Sequence, residues 1–163
     1  AANFVGSNLA FGNGIVAGAF DLGLRSDSLS LIGTVSGSGN ASLSPVNQGT
    51  TIGVAGGAGT YQLSQSTLDA FSTFSTITVG RADGTGDLTF GNLVLPTNLS
   101  VLSNSGTVAF TGTVASAAGQ GRSLGVTTGV TTTFSGAVGG AIGGSAVRRS
   151  VRTGCGPSMI PQP

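Results

Sequence analysis

Two carboxylates four residues apart, Asp83 and Asp87, are the residues of this sequence best placed to do chemistry. A pair of Asp on one face of a β-structure can divide general-acid and general-base work on a glycosidic bond, and Asp69 stands near enough in sequence to join them. The run between them, Asp83-Gly84-Thr85-Gly86-Asp87, also reads as a corner. Asp beside Gly in a turn bonds its own backbone and tolerates unusual φ. An EF-hand loop needs a Glu at its twelfth position, and the chain has no Glu. The calcium-binding nonapeptide pattern fails too, because Gly86 directly precedes Asp87 and no second copy follows. A low-affinity calcium site is the most this run offers.

The remaining functional groups are sparse. There is no His, so a Ser nucleophile has no His to act as its base. The glycine-rich stretches 53–59 and 136–144 lack the Lys-Ser/Thr ending of a phosphate loop. Cys155 is the only cysteine and can close no internal disulfide or metal site. A net charge of +1, with aromatics at core-like spacing rather than among cations, predicts no nucleic-acid partner. The cluster Arg148, Arg149 and Arg152 reads as a solvated tail. Neither metal nor cofactor nor catalysis is expected. Asn40-Ala41-Ser42 and Asn98-Leu99-Ser100 fit the glycosylation acceptor pattern, a weak signal in a chain this rich in Ser, Thr and Asn.

The elements that would position these residues are strands. Hydrophobic residues make up 39% of the chain, and many are Val, Ile, Leu and Phe in alternation with Ser, Thr and Asn, which is strand periodicity. That pattern predicts strands at 8–11, 19–24, 28–32, 41–44, 50–54, 60–63 and 76–79. It predicts more at 87–90, 99–102, 107–111, 123–126 and 131–134. Between them, Ser66–Ser75 breaks the alternation. Leu68, Phe71 and Phe74 recur there at three-residue steps, so a short helical turn capped by Ser66 or Thr67 is expected, with its aromatics closing over the core. Two ladders of anchors, Leu22-Leu43-Leu63-Leu88-Val108 and Leu31-Ile52-Ile77-Leu99-Leu124, step by about 20–25 residues, the period expected of a solenoid with two strands per coil. The expected fold is therefore all-β, a parallel β-helix (β-solenoid) of about 20–25 residues per rung. A flat sandwich would show more Asn-Gly or Asp-Gly hairpins than the single Asp83-Gly84.

The solenoid is expected over residues 1–144. From Ser145 the sequence turns basic and Pro-rich without alternation, so 145–163 read as a disordered or non-native tail. No run reaches the ~20 apolar residues of a spanning helix, and no signal peptide is visible at the start. An open last rung is an edge ready to pair, so end-to-end self-association is expected.

The segment Leu29–Gly91 resembles the repeat units of very large bacterial exoproteins of the filamentous haemagglutinin type. The matching elements are Leu43-Ser44-Pro45, Thr51-Ile52-Gly53, Gln62-Leu63-Ser64, Leu68, Phe74 and Ile77 through Thr89, the last including Arg81-Ala82-Asp83-Gly84-Thr85-Gly86. The resemblance implies a right-handed parallel β-helix, export across a Gram-negative envelope through an outer-membrane partner pore, and a cell-surface role in adhesion or biofilm. Host or bacterial surface glycans or proteins are then the partners, and no catalytic residue is implied. The alternative is a β-helix carbohydrate-active enzyme with Asp83 and Asp87 as acid groups. Convergence of Asp83, Asp87 and Asp69 in one groove is what would favour it.

Overall fold

The computed structural model describes residues 1–139 and the backbone of 148–153. Cys155 lies outside them. The chain opens with β1 (Ala2–Phe11), β2 (Ile15–Gly18), β3 (Leu22–Leu31), β4 (Val35–Gly37) and β5 (Asn40–Ser44). There follow β6 (Ile52–Val54), β7 (Tyr61–Leu63), a helix α1 (Gln65–Asp69) and β8 (Thr76–Gly80). Then come β9 (Leu88–Phe90), β10 (Leu93–Leu95), β11 (Asn98–Leu102), β12 (Val108–Phe110) and β13 (Val114–Ser116). The last are β14 (Ser123–Thr128), β15 (Thr132–Phe134) and β16 (Arg148–Thr153). The fold is all-β, and every strand pairing described is parallel.

One sheet of seven strands runs in chain order, β1-β3-β5-β8-β11-β14-β16. A second, of five strands, is ordered β15-β12-β9-β6-β7, and two smaller sheets pair β10 with β13 and β2 with β4. The register aligns Ile77 with Leu99 and Leu99 with Leu124, so half of the second anchor ladder stacks as expected. Of the first ladder only Leu88 and Val108 stack: Leu22 and Leu43 lie in the seven-stranded sheet out of register with each other, whereas Leu63, Leu88 and Val108 belong to the five-stranded one. A pass through 76–95 or 98–116 contains three strands rather than the two expected. The missed strands, β2, β4, β10 and β13, are three or four residues long, too short to show a period. Conversely, the runs at 19–24 and 28–32 are one ten-residue strand, β3, and residues 19–21 stay outside it.

In-register parallel pairing places like residues over like. Phe90, Phe110 and Phe134 occupy the same register position of the five-stranded sheet, and their rings stack at 4.4 Å and 4.6 Å, 16° and 3° from parallel. Aromatic pairs at such separations add to simple burial. Around them Leu43, Val54, Leu63, Val79, Leu95 and Val101 form a continuous interior closed to solvent.

Between β6 and β8 the chain departs from this regularity. Ile52 pairs with Tyr61 only nine positions later, although a parallel crossover ordinarily takes a dozen residues or more. The glycine run makes the short return possible. Ala55 and Gly56 adopt left-handed φ of 49° and 87°, and a Cβ on Gly57 would lie 1.9 Å from the Thr89 carbonyl oxygen. The helical turn follows as expected, but its cap is Ser64, whose hydroxyl accepts from the Thr67 N–H. Leu68, Phe71 and Phe74 are buried beneath it. Gln65 on this helix imitates a missing strand: its amide donates to Val94 O at 2.7 Å and accepts from Val94 N at 3.1 Å. The free edge of β10 is thereby closed. β7 lies against β3, and Tyr61 is wholly buried beside Ser26, also wholly buried. Burial pushes the Tyr61 phenol up to about 12, with the Ser26 hydroxyl tempering the rise and Asp27 adding to it.

The backbone of 148–153 forms β16, paired in parallel with β14, where the sequence pattern predicted no strand.

Candidate binding face

Each carboxylate suspected of chemistry is held by a different neighbour. Asp83 receives Arg81 Nε at 2.7 Å and Nη2 at 2.8 Å, and Gln48 Nε2 at 2.8 Å. The same guanidinium donates to the Pro45 and Val46 carbonyls, so it fastens the 45–48 loop to the 81–84 turn. Hydrogen bonds from Arg81 and then Gln48 hold the Asp83 carboxyl well below the usual carboxylate range. Asp87 accepts from the Thr107 hydroxyl and N–H, both at 2.8 Å, and these lower its pKa too. Asp69 accepts from Gln65 within α1. The cavity that Asp83 lines contains neither of the others, so these bonds do not bring the three together. No group of three or more acidic, His or Cys side chains that could hold a metal exists among the described residues.

Asp87 belongs to a recurring device. Asp21 Oδ1 accepts from Asn40 N, and Asp27 Oδ1 from Val46 N, each 19 residues on. Asp87 reaches Thr107 over 20 residues, Asn92 reaches Thr113 N over 21, and Asn98 reaches Ser123 N over 25. One short side-chain oxygen per corner thus satisfies a backbone donor of the following pass. Of the two Asp expected at corners, Asp87 bonds across to Thr107 rather than to its own turn, whereas Asp83 bonds Arg81 and the backbone of its own turn as well as Gln48 of another loop. A single Asx is too common for the sequence to reveal this; the signal is its recurrence at the strand interval. Asn40 and Asn98, the two glycosylation candidates, both spend side-chain bonds this way, Asn40 donating to Asp21 and Asn98 to Ser75 O.

The outward face of the seven-stranded sheet is polar and short-chained. Asn3, Gly23, Ser42, Thr78, Ser100 and Gly125 follow one another along a single register row, at the ~4.8 Å spacing of strands. Three adjoining shallow cavities cover its first half, of about 320, 480 and 260 Å³. Ser42 borders all three, and Arg25 and Ser44 border two. The side chains of Asn3, Arg25, Ser42, Ser44 and Thr78 make none of the side-chain hydrogen bonds or ion pairs of the described residues. Asn3 lies across Gly23, its Oδ1 standing 2.2 Å from where a Cβ on that glycine would be. The sequence pointed to none of these groove residues, because Ser and Asn on a strand face look like ordinary solvated positions.

Comparison with known proteins adds no relative: no family model, curated protein or solved structure matches this chain. Among the described residues no helix is long and apolar enough to cross a membrane.

Proposed function

We propose that the chain is a stretch of right-handed parallel β-solenoid serving as a structural and adhesive stalk segment of a large secreted bacterial surface protein. The observation that carries this reading is the seven-stranded parallel sheet whose strands follow chain order, with register partners such as Leu22 and Ala41, Ile77 and Leu99, and Leu99 and Leu124 separated by 19 to 25 residues, and by 36 at the one step that spans the 45–75 insertion, Ala41 to Ile77. A regular advance of this kind is what stacked coils produce, and parallel crossings are right-handed in about 98% of cases. The resemblance of Leu29–Gly91 to haemagglutinin-type repeats supports export through an outer-membrane pore and surface glycans or proteins as partners. Val5, Val16, Phe20 and Ile32, exposed within residues 1–37, support contact with another such segment. The enzyme alternative gains nothing from carboxylates already bonded to Arg81, Gln48 and Thr107.

The test is adhesion of the purified, immobilised chain to glycoprotein-coated and bare surfaces, run beside a reducing-end assay on polysaccharides and light scattering across concentration. Selective adhesion without hydrolysis is expected, with apparent mass rising at high concentration. Polysaccharide cleavage that disappears in Asp83→Asn or Asp87→Asn would overturn the reading in favour of the enzyme.

A further inference from the structure

The groove on the outer face of the seven-stranded sheet has a distinct charge layout. Arg25 is exposed on β3, at the boundary of two cavities, and its guanidinium has no partner among the described residues. The carboxylates around it are already bonded elsewhere. Asp27, two residues along the same strand, faces the Val46 N–H; Asp21, lining the third cavity, accepts from Asn40; Asp83, lining the second, is paired with Arg81. Between these charges the groove offers hydroxyl and amide groups that both donate and accept: Asn3, Ser42, Ser44 and Thr78.

We propose that this groove binds a sugar chain bearing one isolated carboxylate, seated on Arg25, with neutral hydroxyl-rich units extending over Ser42 and Thr78. A guanidinium with all its donors free presents a fork that matches a carboxylate in two parallel hydrogen bonds. The flanking Ser, Thr and Asn side chains match sugar hydroxyls, which likewise donate and accept. The acidic rim decides between acidic sugars. A chain charged at every unit would place further anions within a Debye length, about 8 Å at physiological salt, of Asp21 and Asp27, neither of which has an ion-pair partner among the described residues, and like charges repel. One carboxylate among neutral units avoids this. The proposal deepens the adhesive reading and rests on it for its biological setting, but the chemistry of the groove can be tested separately.

The probe is 3′-sialyllactose, titrated into the full chain and followed by backbone amide shifts, with lactose and a heparin octasaccharide as comparators. Shifts are expected at residues 3, 25, 42, 44 and 78, with lactose and heparin at least tenfold weaker. Arg25→Gln should weaken sialyllactose at least tenfold with the far-UV spectrum and melting temperature unchanged, whereas Arg25→Lys should recover part of the loss. Gly23→Val, which displaces Asn3 from the groove floor, should also weaken binding. Absent groove shifts, equal affinity for lactose, tighter binding of heparin, or an unaffected Arg25→Gln would each overturn the proposal. Surface adhesion that persists while sialyllactose fails to bind would reject the groove and leave the adhesive reading standing; sialyllactose binding without surface adhesion would do the reverse.

Discussion

The passes through residues 1–37 and 76–116 are built from the same parallel pairing, yet they bury their side chains very differently. In the first, two ten-residue strands, β1 and β3, are followed by the short β2 and β4, and Val5, Val16, Phe20 and Ile32 remain largely exposed. In the second, three strands of three to five residues succeed one another, and Leu88, Phe90, Leu93, Leu95, Val108 and Phe110 of β9, β10 and β12 are closed from solvent. The difference is one of cross-section. The short strands of the second stretch contribute buried apolar residues to three sheets, whereas the long strands of the first are accompanied only by the two-stranded sheet of β2 and β4. Changing from one to the other creates new sheets with new edges, and 45–75 supplies their covers: β7 at the end of the five-stranded sheet and Gln65 beside β10.

The largest effect should come from the contrast itself. Phe110→Ala removes the middle ring of the Phe90-Phe110-Phe134 stack and should cost about 3–5 kcal/mol. Phe4→Ala, at a residue 40% exposed with one edge-on contact to Phe11, should cost under about 1.5 kcal/mol. Urea midpoints of the two variants check this, and equal costs would dissolve the distinction between the regions.

Next in size is Gln65→Leu, which leaves both polar groups of half-buried Val94 without their partner, at about 1–3 kcal/mol. Hydrogen exchange at the Val94 amide should accelerate, while Leu99 and Val101 on the seven-stranded sheet stay protected. An unchanged Val94 would mean that the edge needs no cover.

The smallest effect is at the inter-pass clamps. Asp87→Ala frees the Thr107 N–H at an exposed corner and should cost about 1 kcal/mol or less. Because Thr107 lowers the folded pKa of Asp87, its contribution is present above the ordinary carboxylate pKa of about 4 and is lost as pH falls through the lowered value. Asp87→Asn keeps an acceptor oxygen and should flatten that acid dependence. Melting curves from neutral to acid pH decide it, and an identical slope in both proteins would refute the clamp.

Much of the strand content was legible in the sequence, because alternation such as Ile77-Thr78-Val79 states directly which side faces inward. Leu68, Phe71 and Phe74 were equally legible as a closing aromatic segment. Strands of three residues were not, since Leu93–Leu95 or Val114–Ser116 is shorter than the period that would identify it. Pairing partners were hidden for another reason. Leu63 and Leu43 look equivalent in the chain, and only the nine-residue return at the glycine run sends Leu63 to a different sheet. Of the candidate site, the Asp residues were visible by type but not by partner, and Arg25 was one cation among six.

The same nine-residue return bears on how quickly the molecule can assemble. Other pairings of the five-stranded sheet join residues 20 to 36 apart, as in Leu88 with Val108 and Ile52 with Leu88. Closing a loop four times shorter saves about 1.2 kcal/mol of chain entropy relative to the longest of these, and local contacts generally form ahead of distant ones. The β6–β7 pair is thus the natural nucleus of its sheet, a template laid down early on which β9, β12 and β15 can zip in turn.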